Sequence, residues 1–241
     1  MKHFESYSIK LQRRKRILVF VKYIIIIFFA YEIFVNYCIR TYRVETNSMS
    51  PNIQSGYHIV ASSLVYGINA PFSYGKMITF SYPKRGDVVI ILHNKKEPNI
   101  FNIVINAVIK FFTLQQCQIP TDSVPANGLL IRRIIGVPGD VMYMNNYLVY
   151  NKTQKSYHFL SEYEVSSEVY DLVLQNNELW PDNLPFSSKF DSITLGENQY
   201  FVLSDTRTKI NDSRYWGVIS VDDILAKVIA IYWPVQRMKK F

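Results

Sequence analysis

The polarity of this chain changes sharply near its start. After a basic opening, Ile17 to Tyr37 form a nearly unbroken apolar run, close to the ~20 residues a helix needs to cross a bilayer core. Lys22 lies toward the basic end, where its stem can carry the ammonium out to the headgroups. Glu32 lies toward the other end, within reach of the opposite interface. Tyr31 and Tyr37 suit an interfacial belt. Past this run the pattern becomes that of strands. His58 to Ala61, Asp87 to Leu92, Leu129 to Ile135 and Lys227 to Trp233 are β-branched or aromatic stretches of strand length. Asp140 to Tyr150 reads as a hairpin, with Val141 to Met144 and Tyr147 to Tyr150 as arms and Asn145-Asn146 as a two-residue turn, because Asn tolerates positive φ. No strand–helix–strand alternation appears, so the expected fold is mainly β, an antiparallel sheet behind one N-terminal transmembrane helix.

Two segments interrupt this framework, at about 94–128 and 151–196. The first holds Asn99 to Phe112, apolar enough for a short helix but too short to span a membrane comfortably. Packing on the domain and dipping into the membrane surface both fit it. The second is rich in Ser, Asn and acidic residues, with Pro181 and Pro185, and reads as a loop-rich elaboration carrying no chemistry. Internal repeats are absent.

Charge sharpens the reading of the first run. The chain of 241 residues carries a formal net charge of +8 and is 49% hydrophobic, a globular composition. Lys10, Arg13, Arg14, Lys15 and Arg16 crowd the segment just before the apolar run, and no later stretch is as dense. A nucleic-acid-binding stripe would extend along a folded face, so nucleic acid is not expected as a partner. A cleaved signal peptide would need small residues at its cleavage site, which Asn36 to Arg40 do not supply. The positive-inside rule then places a basic tail (1–16) in the cytoplasm, an anchor (17–37) in the inner membrane, and the domain 38–241 outside. Cys38 and Cys117 show no metal-ligand spacing, and a disulfide between them cannot be inferred. Neither a cofactor nor a metal is expected.

The candidate chemistry begins about ten residues past the run, at Thr46-Asn47-Ser48-Met49-Ser50-Pro51. A serine hydroxyl is a nucleophile only with a base to take its proton and donors to hold the oxyanion. On its own this would be an ordinary loop. Its company changes that: Arg85-Gly86-Asp87-Val88-Val89, then Arg132-Arg133-Ile134-Ile135-Gly136-Val137-Pro138-Gly139-Asp140, then Ser204-Asp205-Thr206-Arg207 running on to Asp212-Ser213-Arg214-Tyr215-Trp216-Gly217. In this order behind an anchor, the four segments resemble the boxes of type I signal peptidases over about residues 17–93, 129–150 and 200–233. The resemblance implies a membrane-anchored endopeptidase with an outward β domain that cuts signal peptides from exported proteins with a Ser–Lys dyad. Signal peptides and the bilayer would be its partners, with a translocon or a paralogous peptidase as further ones. Ser48 matches the nucleophile, and its backbone N–H would meet the oxyanion with help from the Thr46 hydroxyl. Asp212 and Arg214 match a structural pair, Asp205 a second supporting carboxylate, and Arg133 the box arginine.

The dyad lysine is where this chain departs from the family, because Arg132 stands at its position. A guanidinium starts near 12.5–13.8, so freeing it of a proton near pH 7.5 would cost on the order of 7 kcal/mol. Ile210 stands where the family has a serine that orients the lysine. Lys209 is a neighbour that could replace the base, and His58 and His93 are histidines at positions that do not match. Two readings follow from the resemblance. One is a working peptidase with an altered base. The other is an impaired homologue that binds exported chains or an active paralogue without cleaving.

Overall fold

The computed structural model describes residues 7–33, 40–69, 76–92, 100–112, 129–154, 156–174, 188–208 and 211–241. Cys38, His93, Cys117, Lys209 and Ile210 lie outside them, and so do Tyr37 and the Pro181/Pro185 pair.

The apolar run forms helix α1, Tyr7–Ile33. Ile17, Leu18, Val19, Phe20, Tyr23, Ile25, Ile26, Ile27 and Phe29 are exposed, whereas Ile24, Phe28 and Tyr31 are half-buried along one flank. Among the described residues, no helix is long and apolar enough to cross a membrane, and the described part of α1 ends at Ile33, before the apolar run of the sequence does.

The domain that follows is antiparallel, as the strand pattern predicts. In chain order its strands are β1 (Arg40–Arg43), β2 (His58–Ser62), β3 (Gly67–Asn69), β4 (Lys76–Thr79) and β5 (Val88–Leu92), then β6 (Leu129–Gly136), β7 (Val141–Asn145), β8 (Leu148–Lys152) and β9 (Leu160–Ser161). They continue as β10 (Phe190–Thr194), β11 (Gln199–Leu203), β12 (Ile219–Ser220), β13 (Ile224–Trp233) and β14 (Lys239–Lys240). The main sheet runs β1-β2-β13-β5-β6-β11-β12, with β14 added on β13. A second sheet runs β10-β7-β8-β9, and β3 pairs with β4. The short helices are α2 (Ile100–Phe112), α3 (Glu162–Val165) and α4 (Ser213–Trp216).

β5 explains the stability of the centre. All five of its residues are buried, Val88 and Ile90 in one apolar cluster and Val89 and Ile91 in another, which is the signature of a strand covered on both faces. A third cluster, including Ile135, Met142, Met144, Val149 and Phe201, joins the second sheet to the main one. Met49 and Ile53 belong to the first cluster, so the loop that carries Ser48 is sewn into the core on the C-terminal side of that serine.

Two expectations need correction. The hairpin turns one residue later than read from the sequence, at Asn146 and Tyr147 with φ of 52° and 63°, and Asn145 pairs with Leu148. This register sets Tyr143 opposite Tyr150, with rings stacked at 5.1 Å, and that cross-strand pair favours it over the Asn-Asn turn. The first inserted segment does form a helix, α2, but its Phe111 ring packs edge-on against Phe28 at 5.1 Å and Tyr31 at 5.3 Å. It therefore lies against α1, because the apolar flank of that helix is the surface nearest in chemistry to its own.

The second insertion is the larger surprise. Rather than looping away, its stretch 162–173 docks on the segments around Arg85 and Thr206. Ser167 donates to the Arg85 carbonyl from its hydroxyl at 2.9 Å, and Val173 bridges in parallel to Thr206. A Cβ on Gly86 would stand 2.2 Å from Ser166 Oγ, and Gly86 has φ +88°. Only glycine suits that position.

Candidate active site

Ser48 sits in a turn held by backbone bonds of its own: Ser50 N–H donates to Asn47 O at 3.2 Å and Ile53 N–H to Met49 O at 2.8 Å. The Ser50–Pro51 peptide is cis. Thr206 clamps the turn from across the fold. Its backbone N–H donates to Ser48 O at 3.0 Å, and its hydroxyl lies 2.8 Å from Asn47 O and 3.0 Å from Ser50 O. Buried carbonyls satisfied this way leave the serine little freedom.

The Ser48 hydroxyl has two neighbours. Arg132 Nη1–H donates to Ser48 Oγ at 3.0 Å, and Thr46 Oγ1 lies 3.1 Å from it. Three residues singled out in the sequence, Thr46, Ser48 and Arg132, therefore meet. With the arginine donating, Ser48 Oγ is an acceptor from Nη1, and either hydroxyl can donate in the Ser48–Thr46 contact.

Arg132 comes from β6, where alternation sends it and Arg133 to opposite faces. Both are buried, at 3% and 0% exposure, so each needs a dedicated set of acceptors. Beside the Ser48 hydroxyl, Arg132 finds only carbonyls among the described residues: Asn211 O at 2.8 Å from Nε and 2.5 Å from Nη2, and Ile131 O at 2.6 Å from Nη1. Burial pulls its pKa down to about 10, with the Asp212 carboxylate pushing back and Arg214 adding to the fall. That is well below the ordinary guanidinium range, yet at pH 7.5 only ~1 molecule in 300 would carry it neutral.

Arg133 has true counter-charge. It donates to Asp205 from Nε at 2.8 Å and from Nη2 at 2.6 Å, and to Gly86 O from Nη1 at 2.8 Å. Burial lowers its pKa, but the Asp205 charge and hydrogen bonds outweigh this, and the net shift is upward. Asp205 and Arg133 are thus one bidentate pair rather than two separate supports. Asp212 and Arg214 form the other expected pair, at 2.9 Å and 2.7 Å. Asp212 also accepts from Ser204 N at 3.1 Å, and it caps α4 through Arg214 N–H at 3.2 Å. Burial alone would raise its pKa; Arg214 and these N–H donors hold it below the ordinary carboxylate range.

His58 is not brought to the site. It lies on β2 with Tyr232 Oη of the neighbouring strand β13 3.4 Å from its Nδ1. Among the described residues there is no group of His, Cys, Asp and Glu that would hold a metal ion.

Four residues went unread in the sequence. Thr206 fastens the nucleophile loop, and Asn52 Nδ2 donates to Asp205 Oδ2 at 2.9 Å and to Asp171 O at 2.8 Å. Glu162 and Tyr170 come from the second insertion. Glu162, 1% exposed, pairs with buried Arg207 and accepts from Tyr170 Oη at 2.8 Å, while the Tyr170 ring lies 3.9 Å under the Arg133 guanidinium. Burial first, then the Glu162 charge, push the Tyr170 phenol well above its usual range, so it stays a donor.

In this antiparallel fold a loop serine thus meets a basic residue from a central strand. The model of the family described as signal peptidase, peptidase S26, matches residues 16–233, and the chain belongs to that family. It is 26% identical to signal peptidase I of Buchnera aphidicola subsp. Baizongia pistaciae over 79% of this chain and 68% of that protein. It is also 26% identical to signal peptidase I of Aquifex aeolicus, over 82% and 77%, and 23% identical to that of Pseudomonas aeruginosa, over 84% and 68%. A crystallised signal peptidase I from Enterococcus faecalis superposes with a TM-score of 0.34 at 18% identity, over 62% of this chain and 98% of that one.

Proposed function

We propose that the chain is a serine endopeptidase that removes signal peptides from exported proteins, with Ser48 as nucleophile and Arg132 in the base position. The observation that carries the proposal is the 3.0 Å approach of Arg132 Nη1 to Ser48 Oγ inside a family that the chain shares with named signal peptidases. Catalysis is then limited by the minority of molecules in which Arg132 is neutral. In those, the Ser48 proton passes to the guanidine nitrogen, Oγ attacks the scissile carbonyl, and the protonated arginine returns the proton to the leaving amine. Among the described residues, the Ser48 backbone N–H has no protein acceptor, which leaves it open to the oxyanion alongside the Thr46 hydroxyl. The edge of β6 supports peptide binding. β11 pairs with its Arg133–Gly136 end, so among the described residues Leu129–Ile131, just before Arg132, have a pairing partner on one side alone, and an extended chain can add there.

A second reading is favoured by the other half of the same observation. Arg132 in its protonated majority is a donor to Ser48, so the site can hold a peptide without cutting it. The two separate on cleavage of a preprotein by the purified full chain: product formation that disappears in Ser48→Ala supports the peptidase, and binding with no cleavage at any pH supports the second.

The proposed setting is the inner membrane, with the basic tail inside and the β domain outside. The support is α1, most of whose apolar side chains are exposed away from the flank that carries α2, an arrangement that suits lipid rather than water. The apolar sequence continues to Tyr37 and reaches the ~20-residue span. Protease added outside spheroplasts should cleave within residues 40–241; protection of that whole region overturns the orientation.

A further inference from the structure

Glu162 belongs to a polar insertion that reads in the sequence as a loop-rich elaboration, yet it is among the most buried acids of the described residues. Three donors converge on its carboxylate: Val149 N–H at 3.0 Å on Oε1, and Tyr170 Oη at 2.8 Å and Arg207 Nη2 on Oε2. Arg207 depends on it. Its Nε and Nη1 have no partner among the described residues, so Glu162 supplies the side-chain counter-charge of a buried cation.

Two routes lead from this carboxylate to Ser48. One is made by Arg207 itself. Its N–H donates to Val173 O at 3.1 Å, and its carbonyl accepts Arg214 Nη1 at 2.8 Å, which ties it to the Asp212–Arg214 pair beside Asn211, the carbonyl that receives Arg132. The other runs through Tyr170, whose ring supports Arg133, the partner of Asp205. Asp205 in turn holds Asn52 and directly precedes Thr206, the clamp on the nucleophile turn. Both ends of the Arg132–Ser48 contact are thus braced from one acid.

We propose that Glu162 is a positioning residue for Ser48: the insertion is a brace that fixes the nucleophile turn and the Arg132 acceptor loop in register. The proposal deepens the peptidase reading, because it assigns the insertion to the same site, but its geometry does not depend on turnover.

The test is hydrogen–deuterium exchange on the full chain in detergent micelles, comparing wild type with Glu162→Gln and Tyr170→Phe. Tyr170→Phe keeps the ring under Arg133 and removes only the hydroxyl, so it preserves the fold. A brace predicts exchange about tenfold faster in Glu162→Gln, and about threefold in Tyr170→Phe, around Thr46–Ile53 and Ser204–Thr208, with β2 and β13 unchanged. In cleavage assays kcat falls while KM holds, and Glu162→Asp recovers part of the loss. Faster exchange confined to 148–173 overturns the proposal, and so does faster exchange everywhere in Glu162→Gln with none around Thr46–Ile53 in Tyr170→Phe. A wild type that does not cleave counts against the peptidase reading and leaves the exchange result to decide this one.

Discussion

Replacing Arg132 by lysine should accelerate cleavage at pH 7.5 by about 10²-fold, an unusual gain for a substitution in an active site. The argument is one of proton availability. Burial brings the Arg132 guanidinium down to about 10, which still leaves ~0.3% of it neutral at that pH. A lysine starts near 10.4, and the same burial, worth up to several pKa units for an ammonium, would carry it toward neutrality. General-base catalysis contributes about 10²–10⁴-fold, so the expected gain lies at the low end of that range. Lysine ends one bond short of Nη1 and gives up the fork onto Asn211 O, which holds the gain down. The pH dependence has a definite sign. A neutral base is the active form, so the wild-type rate climbs about tenfold per pH unit from 7 and levels near 10, and Arg132→Lys levels close to neutrality. A rate unchanged or lowered by the substitution, with an unshifted profile, would show that Arg132 is not the proton acceptor.

The largest expected loss of stability lies one residue along the same strand. Asp205→Asn keeps the shape of the side chain and removes the charge opposite Arg133, which is fully buried. A buried cation stripped of its partner costs about 3–5 kcal/mol. At ~2–4 °C per kcal/mol for a domain of this size, the Tm should fall by about 6–20 °C. Because Thr206 follows Asp205 directly, the Ser48 turn should loosen before the sheet does. A fall of under about 2 °C would mean that the Arg133–Asp205 pair carries little of the fold. The Arg85–Asp140 pair is a natural comparison, since Arg85 is 23% exposed and water shares its charge.

The legible parts of this molecule were those with local or repeated signals. Strand cores such as Val88–Leu92 announce themselves by continuous β-branched residues, and the four boxes by their order and spacing. The pair Asp212–Arg214 followed from box membership, whereas Asp205 and Arg133 read as two separate supports, because nothing in the sequence shows that the fold joins them in one bidentate contact. The hairpin register was missed because Asn145-Asn146 and Asn146-Tyr147 both satisfy the turn chemistry, and a stacked tyrosine pair across the strands decides between them. Glu162 was missed for a different reason. One acid in an acidic, serine-rich stretch looks solvated, and its partner Arg207 lies 45 residues away with no shared period. The same physics that hides it makes it consequential: a long-range buried pair leaves no local trace.

The central claim is that Ser48 attacks and Arg132, in its neutral minority, takes the proton. It is tested most directly by the initial rate of preprotein cleavage by the purified full chain between pH 7 and 10, with Ser48→Ala in parallel. The account predicts cleavage that rises about tenfold per pH unit and is absent from Ser48→Ala at every pH. A flat profile, equal activity in Ser48→Ala, or no cleavage at pH 10 would contradict it.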